Sequence, residues 1–246
     1  MMVVQPRQED SSSERAIMAS LAPSVIFEDQ IEVPLALHSL ADFRRWALSD
    51  EFPETGRIDF IGGRIEVDMA PEDFFSHGGV KTEIAYVLTH RIKESRLGFL
   101  RIDKTRVSSP DGDLSAEPDI AVISHETLSS GRARLMPKAG REIDRYIEVE
   151  GMADLVVEIV SDSSVKKDTR RLPPAYFQAG VAEYWLVDAR RHPPVFLIHH
   201  RGPNGFEPVA ADADGFQPST VLGRRYRLDS MRDSKGNWEF DLREEA

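Results

Sequence analysis

"ADLVVEIVSDSS", residues 153–164, is the stretch on which the reading of this chain turns. From Leu155 to Val160 it is apolar apart from Glu158, and it stops at the polar run Ser161 to Ser164. A short apolar run with such a boundary reads as a buried strand. Alternate side chains of a strand share a face, so Asp154, Val156, Glu158 and Val160 point one way. A bare carboxylate among them costs several kcal/mol in desolvation, so something must compensate Glu158.

A candidate partner stands in "PDIAVIS", residues 118–124, where Asp119, Ala121 and Ile123 share one strand face. If the two strands are neighbours, Asp119 and Glu158 converge on one point. Two converging carboxylates repel unless a cation sits between them or one takes up a proton. Oxygen ligands of this kind suit Mg²⁺ or Mn²⁺, which keep several waters and gain a phosphate oxygen from substrate. A plainer reading stands beside this one: Glu158 pairs with a buried arginine, and Asp119 caps a turn after Pro118.

Outward from these strands the chain alternates helical and extended patterns. "HSLADFRRWALSD" (38–50) predicts a short helix capped by Ser39, with Leu40, Phe43, Trp46 and Leu48 as its buried stripe. "GRIDFIGGRIEVDMAP" (56–71) alternates on both sides of Gly62-Gly63 and reads as a hairpin. Val80, Ile84, Val87, Leu88 and Ile92 recur at helical spacing and predict a long helix over 76–98, ended near Gly98. Strands are expected at 99–108 and 118–124, then a polar stretch at 125–140, then "RYIEVE" and "DLVVEIV". "SSVKKDTRRLPPAYFQAG" should be helical in two pieces, because Pro173 and Pro174 remove donors and crowd the preceding turn. Further strands are expected at 182–189 and 195–201. The pattern is α/β in the broad sense, an α+β chain.

Composition bounds the function. The chain has 246 residues, 41% hydrophobic and 30% charged, which suits a globular protein with a real core. No run reaches the roughly 18 apolar residues of a membrane helix. The opening segment shows no basic region followed by an apolar one, so no signal peptide is expected. The domain expectation is a polar tail over 1–30, a main domain over 31–200, and a β-rich extension over 201–246 packed on the same domain. The absence of cysteine excludes disulfides, thiolate zinc sites and cysteine nucleophiles, and fits a cytoplasmic location. A net charge of −11 argues against coating nucleic acid through bulk charge. Local basic segments at 90–106, 131–145 and 166–171 are candidates for phosphate contact; as solvated faces they would need no such role. Motifs for nucleotide phosphates, dinucleotides and hydrolase serines are absent from the sequence. His199-His200 is a weak metal signal, since neighbours on a strand face opposite ways. "SDSS" (161–164) reads as a helix cap rather than a nucleophile.

"EPDIAVI", "DLVVEIVSDSS" and "YFQAGVAEYWLVD" together carry a family resemblance. The combination resembles the Uma-type restriction endonuclease family, a bacterial branch of the PD-(D/E)xK nuclease superfamily, from about Arg57 to Asp188. The resemblance implies a restriction-endonuclease-like core, a mixed central sheet flanked by helices, here with extra C-terminal β strands. It implies that Asp119 and Glu158 bind a divalent metal, Mg²⁺ or Mn²⁺. His77 matches a histidine that the family usually has there, and Asp59 sits where the family more often carries glutamate, so both join the candidate metal ligands. The chain departs from the pattern at the lysine. Val160 stands where a literal (D/E)xK has it, and Leu172 stands where relatives supply one, four residues before the tyrosine. Lys166 and Lys167 lie just upstream as replacements. Arg171 is adjacent but is a poor proton acceptor.

Two functions remain open at this stage. One is metal-dependent hydrolysis of DNA phosphodiester bonds, with Lys167 or Lys166 orienting water or neutralising charge. A homodimer would let two such sites act on two strands. The other is a nuclease fold without catalysis, kept as a DNA- or protein-binding module.

Overall fold

The structure is a computed structural model, and it describes residues 23–27, 31–140 and 144–246. Most of the expected tail therefore lies outside the described residues. Within it, β1 (Ser24–Phe27) pairs antiparallel with β2 (Ile31–Pro34). Helix α1 (Leu40–Ala47) follows, with Ser39 Oγ accepting the Asp42 N–H at 3.2 Å. This satisfies one of the first-turn donors that a helix leaves unpaired. Leu40, Phe43 and Trp46 are buried as their spacing predicts, and Arg44 ties the helix to Glu148. Strands β3 (Arg57–Ile61) and β4 (Arg64–Asp68) form the expected hairpin. Gly62 and Gly63 both take positive φ, +55° and +75°, as a two-residue hairpin turn with the right twist requires.

A π-helical turn (Phe74–Gly79) leads into α2 (Val80–Ser95), whose Val80, Ile84, Leu88 and Ile92 are buried. The residue that ends α2 in the left-handed region is Arg96, at φ +51°, rather than Gly98. Gly98 has a different task. A Cβ there would collide with the Ile123 carbonyl, so glycine lets β5 (Gly98–Ile102) lie close to its neighbour. The single strand expected over 99–108 is two strands in two sheets. Asp103 and Lys104 adopt left-handed φ values of 41° and 43° and turn the chain before β6 (Arg106–Ser109).

Then come β7 (Leu114–Ala116) and β8 (Ile120–Ser124). The stretch 125–140 is more ordered than its composition predicts, with α3 (His125–Ser129) capped by Ser124 and β9 (Ala133–Pro137). Strands β10 (Tyr146–Gly151) and β11 (Leu155–Ile159) follow as expected. A π-helical turn (Lys167–Arg171) precedes α4 (Leu172–Ala179), so the prolines sit at the start of an α segment. Strands β12 (Glu183–Asp188), β13 (Val195–Arg201), β14 (Phe206–Pro208), β15 (Gln217–Ser219), β16 (Arg224–Arg232) and β17 (Trp238–Glu245) complete the chain.

Two mixed sheets carry the core. Their strand orders are β4-β3-β7-β6-β10-β9 and β14-β13-β12-β11-β8-β5, while β15-β16-β17 form a third, antiparallel sheet. The parallel pairs are β6 with β10 and β11 with β12. One face of the second sheet, through Ile120, Val122, Leu155, Val157 and Ile159, packs on α2. Tyr226, Leu228 and Leu242 of the third sheet join that same cluster. Buried Glu183 ties the extension down, accepting from Trp185 Nε1 at 2.6 Å and the Thr220 N–H at 2.8 Å. The opposite face, through Ala121, Ile123 and Val156, packs on α4 and on Val107, Leu114 and Ala116 of the first sheet. Among the described residues no helix is long and apolar enough to cross a membrane.

Candidate active site

Asp119 stands immediately before β8 and Glu158 lies within β11. The two strands pair antiparallel with Val157 opposite Ile120 and Val156 opposite Ala121. Continuing that register sets Glu158 opposite Asp119. Both carboxylates belong to the face that holds Ala121 and Val156, and each residue is 1% exposed. The strands also touch directly at this level, since the Ile159 N–H donates to Asp119 Oδ2 at 2.7 Å.

Their surroundings push the two acids in opposite directions. Burial works against an ionised Asp119. The His77 imidazole beside it and the charge of Arg57 outweigh it and hold the carboxyl well below its usual range. Arg57 Nη2 donates to Asp119 Oδ1 at 2.8 Å, His77 Nε2 lies 3.6 Å from Oδ2, and Lys81 Nζ lies 4.0 Å from Oδ1. Among the described residues no cation makes such a contact with Glu158. Its Oε1 accepts from the Tyr176 hydroxyl at 2.6 Å, and its buried Oε2 has no hydrogen-bond partner among the described residues. Burial first, then the charges of Asp119 and Asp168, raise Glu158 well above an ordinary glutamic acid. These surroundings favour one charge and one proton on the pair, one of the two solutions open to converging carboxylates.

Four further charged side chains surround this pair. Lys167 is buried, and its Nζ lies 3.2 Å from Asp59 Oδ2, while Asp59 Oδ1 accepts the Glu117 N–H at 2.9 Å. Burial opposes the Lys167 charge, but Asp59 in contact and Asp168 nearby keep the ammonium more firmly protonated than a free lysine. Asp168, also buried, accepts from Ser164 Oγ, and its Oδ1 is unpartnered. Burial raises it to about 6. Lys81 bridges Glu72 at 2.6 Å and Asp103 at 2.8 Å. Lys166, by contrast, is exposed.

The residues present suit a divalent ion. An orphaned carboxylate oxygen on Glu158 and an ionised Asp119 provide the oxygen donors that Mg²⁺ or Mn²⁺ prefers. His77 is buried at the same place; ligand atoms of Glu72, His77 and Asp119 lie within 4.8 Å of one another. Beside this cluster a cleft of about 470 Å³ opens to solvent, lined by Arg57, Glu72, His77, Lys104, Ser161 and Ser163. The Ser164 and Ser161 hydroxyls accept each other's N–H at 2.9 and 3.1 Å, while the π-helical turn that follows has Lys166 at its N-cap and no side-chain cap. His199 and His200 lie outside the site and contact the Tyr184 and Pro218 carbonyls.

The Glu158 geometry has a direct consequence for stability. A folded-state value raised above the unfolded one means that the contribution is fully present below the ordinary glutamate value. It is lost as pH rises through the raised one. Glu158→Gln imitates the protonated acid and keeps an acceptor for Tyr176. In EDTA at pH 7 its thermal midpoint is expected to equal or exceed that of the wild type, and stabilisation by added Mn²⁺ should vanish. A loss of several kcal/mol in EDTA would instead identify Glu158 as an ionised structural partner of Arg57.

Comparison with known proteins bears on this site. Residues 40–226 match a family described as "Putative restriction endonuclease" (Uma2). The chain belongs to this family. A crystal structure of a "putative nuclease belonging to DUF820" from Anabaena variabilis ATCC 29413 is similar in fold. Its TM-score is 0.54 at 20% identity, with 75% of this chain and 90% of that chain covered. No curated protein matches.

Within this restriction endonuclease family the lysine departure acquires a structural account. Leu172 is buried in the apolar cluster of α4 and offers no charge. Its N–H bonds to the Lys167 carbonyl, an i→i−5 contact of the π-helical turn. Residue 167 is thereby stacked one wide turn before residue 172, and Lys167 faces inward while Lys166 faces solvent. Prolines 173 and 174 bring no N–H of their own, which favours a wide turn just before them. Arg171 is engaged by Glu66, with Nη2 2.6 Å from Oε2, and lines a cavity shared with Asp59 and Lys167. Arg57, Glu72, Lys81 and Asp168 were not among the sequence candidates, because each reaches the site from a different element. Much of the basic sequence is already paired: Arg106 with Glu117, Arg132 with Glu126, Arg134 with Glu150 and Lys138 with Asp50.

Proposed function

We propose that the protein is a divalent-metal-dependent endonuclease that hydrolyses DNA phosphodiester bonds. The observation that carries this reading is a buried glutamate with an unpartnered oxygen, set beside an ionised aspartate on the adjacent strand and backed by a buried lysine. Asp119 and Glu158 would hold Mg²⁺ or Mn²⁺, with His77 and Asp59 as neighbouring donors. Such an ion, when bound, polarises a phosphoryl oxygen and lowers the pKa of water. The chain's own groups supply the rest. Lys167, kept protonated by Asp59, places a fixed positive charge beside the carboxylates, where charge on phosphate can be stabilised. Tyr176 fixes the orientation of Glu158. The cleft admits phosphate past Arg57 and Lys104.

The direct test is incubation of the purified chain with supercoiled and linear DNA in Mg²⁺, Mn²⁺ or EDTA. Weak nicking is expected, stronger with Mn²⁺ and absent in EDTA. The Arg57–Asp119 ion pair gives the binding-module reading its one structural support, since it satisfies Asp119 without a metal. Absence of cleavage of any DNA with either metal would put that reading first.

A further inference from the structure

Arg57 is where the cleft meets the buried carboxylates. It opens β3, lines the cleft beside His77, and keeps 20% side-chain exposure while contacting Asp119 at 2.8 Å. Asp119 and Glu158 are each 1% exposed. The same guanidinium acts electrostatically on Asp119, Glu158 and Asp59. One cation thus stands in contact with Asp119 and close to Glu158, the two groups best suited to a divalent ion. Like charges a few ångströms apart repel strongly where water is scarce, so an ion drawing on Asp119 competes with this side chain. Arginine has an alternative partner on the cleft side, because its planar fork matches phosphate as well as carboxylate.

We propose that Arg57 is a two-state positioning residue. Without substrate its guanidinium holds Asp119 and weakens divalent-cation binding; a phosphate group in the cleft draws it off the carboxylate and frees the site. Substrate and metal then bind cooperatively, each strengthening the other by the same factor. The inference rests on the proposed nuclease function for the identity of the anion, a DNA phosphate. It does not rest on that reading for the competition between guanidinium and ion.

The test is Mn²⁺ affinity of the full chain at pH 8, read from the electron paramagnetic resonance signal of free Mn²⁺, without DNA. Arg57→Met should bind Mn²⁺ about tenfold more tightly than wild type or better, a coupling within the usual range. Arg57→Lys, which keeps the charge but loses the fork, should bind it close to wild type. A short duplex should then raise Mn²⁺ affinity more in the wild type than in Arg57→Met. Equal or weaker Mn²⁺ binding by a folded Arg57→Met would overturn the proposal. Failure of both variants to fold would overturn it too, because Arg57 would then be a structural partner of Asp119. DNA nicking by the wild type is a separate readout. Nicking with unchanged Mn²⁺ affinity in Arg57→Met keeps the nuclease reading and removes this one. Tighter Mn²⁺ binding without any nicking removes the nuclease reading and leaves the competition standing.

Discussion

Asp119→Asn is expected to lower metal-dependent DNA cleavage by a factor of about 10³ or more, the scale of several kcal/mol of lost charge stabilisation. The protein should stay folded. The asparagine oxygen can still accept the Ile159 N–H, and Arg57 remains within the field of Asp59. Asp119→Ala is the harsher change, since it leaves the Ile159 N–H without an acceptor and deprives a largely buried guanidinium of its contact. The amide variant thus separates chemistry from folding. Plasmid nicking gives the rate, and a thermal melt with and without Mn²⁺ gives the second readout. Both the cleavage and the metal-induced rise in midpoint should disappear together. Retention of full cleavage by Asp119→Asn would remove this carboxylate from the site and, with it, the proposed function.

The sequence showed why these two acids belong together, but not what surrounds them. Glu158 was legible as a misfit because a carboxylate within an apolar strand must find compensation. Period-two alternation sets it and Asp119 on corresponding faces once the two strands are neighbours. A proton on one of the two acids was among the options the sequence offers, but the partner of Glu158 was not legible: it is the Tyr176 hydroxyl rather than an arginine. Arg57 goes instead to Asp119, and no local pattern can say which of two neighbouring acids a distant guanidinium will choose. The break between β5 and β6 was hidden for a different reason. Asp103 and Lys104 turn the chain in left-handed conformations without a glycine or proline to announce it. The ordered segment 125–140 owes its helix to a single serine cap and its strand to pairing with β10, and only the first of these is local.

Lys167→Ala is expected to reduce the cleavage rate by a factor of roughly 10² or more, the scale of removing a group that stabilises developing charge. Lys166→Ala should leave the rate near that of the wild type and change mainly DNA affinity and its salt dependence, as a phosphate contact does. The difference between adjacent lysines follows from the wide turn. The i→i−5 bond from Leu172 to Lys167 aligns residue 167 with the buried face of α4. An ordinary α turn would have aligned residue 168 with 172 instead. Lys167 is also expected to act as a charge, not as a base, because Asp59 in contact and Asp168 nearby favour its protonated form. Its contribution should therefore persist across neutral pH instead of growing as a lysine deprotonates. Part of the lost rate should return with Lys167→Arg, which restores a cation that cannot serve as a base. Should Lys167→Ala cleave as fast as the wild type while Asp119→Asn does not, the buried lysine would be a counter-ion for Asp59 alone. Charge stabilisation would then have to come from Arg57 or Lys81, the other cations on Asp119.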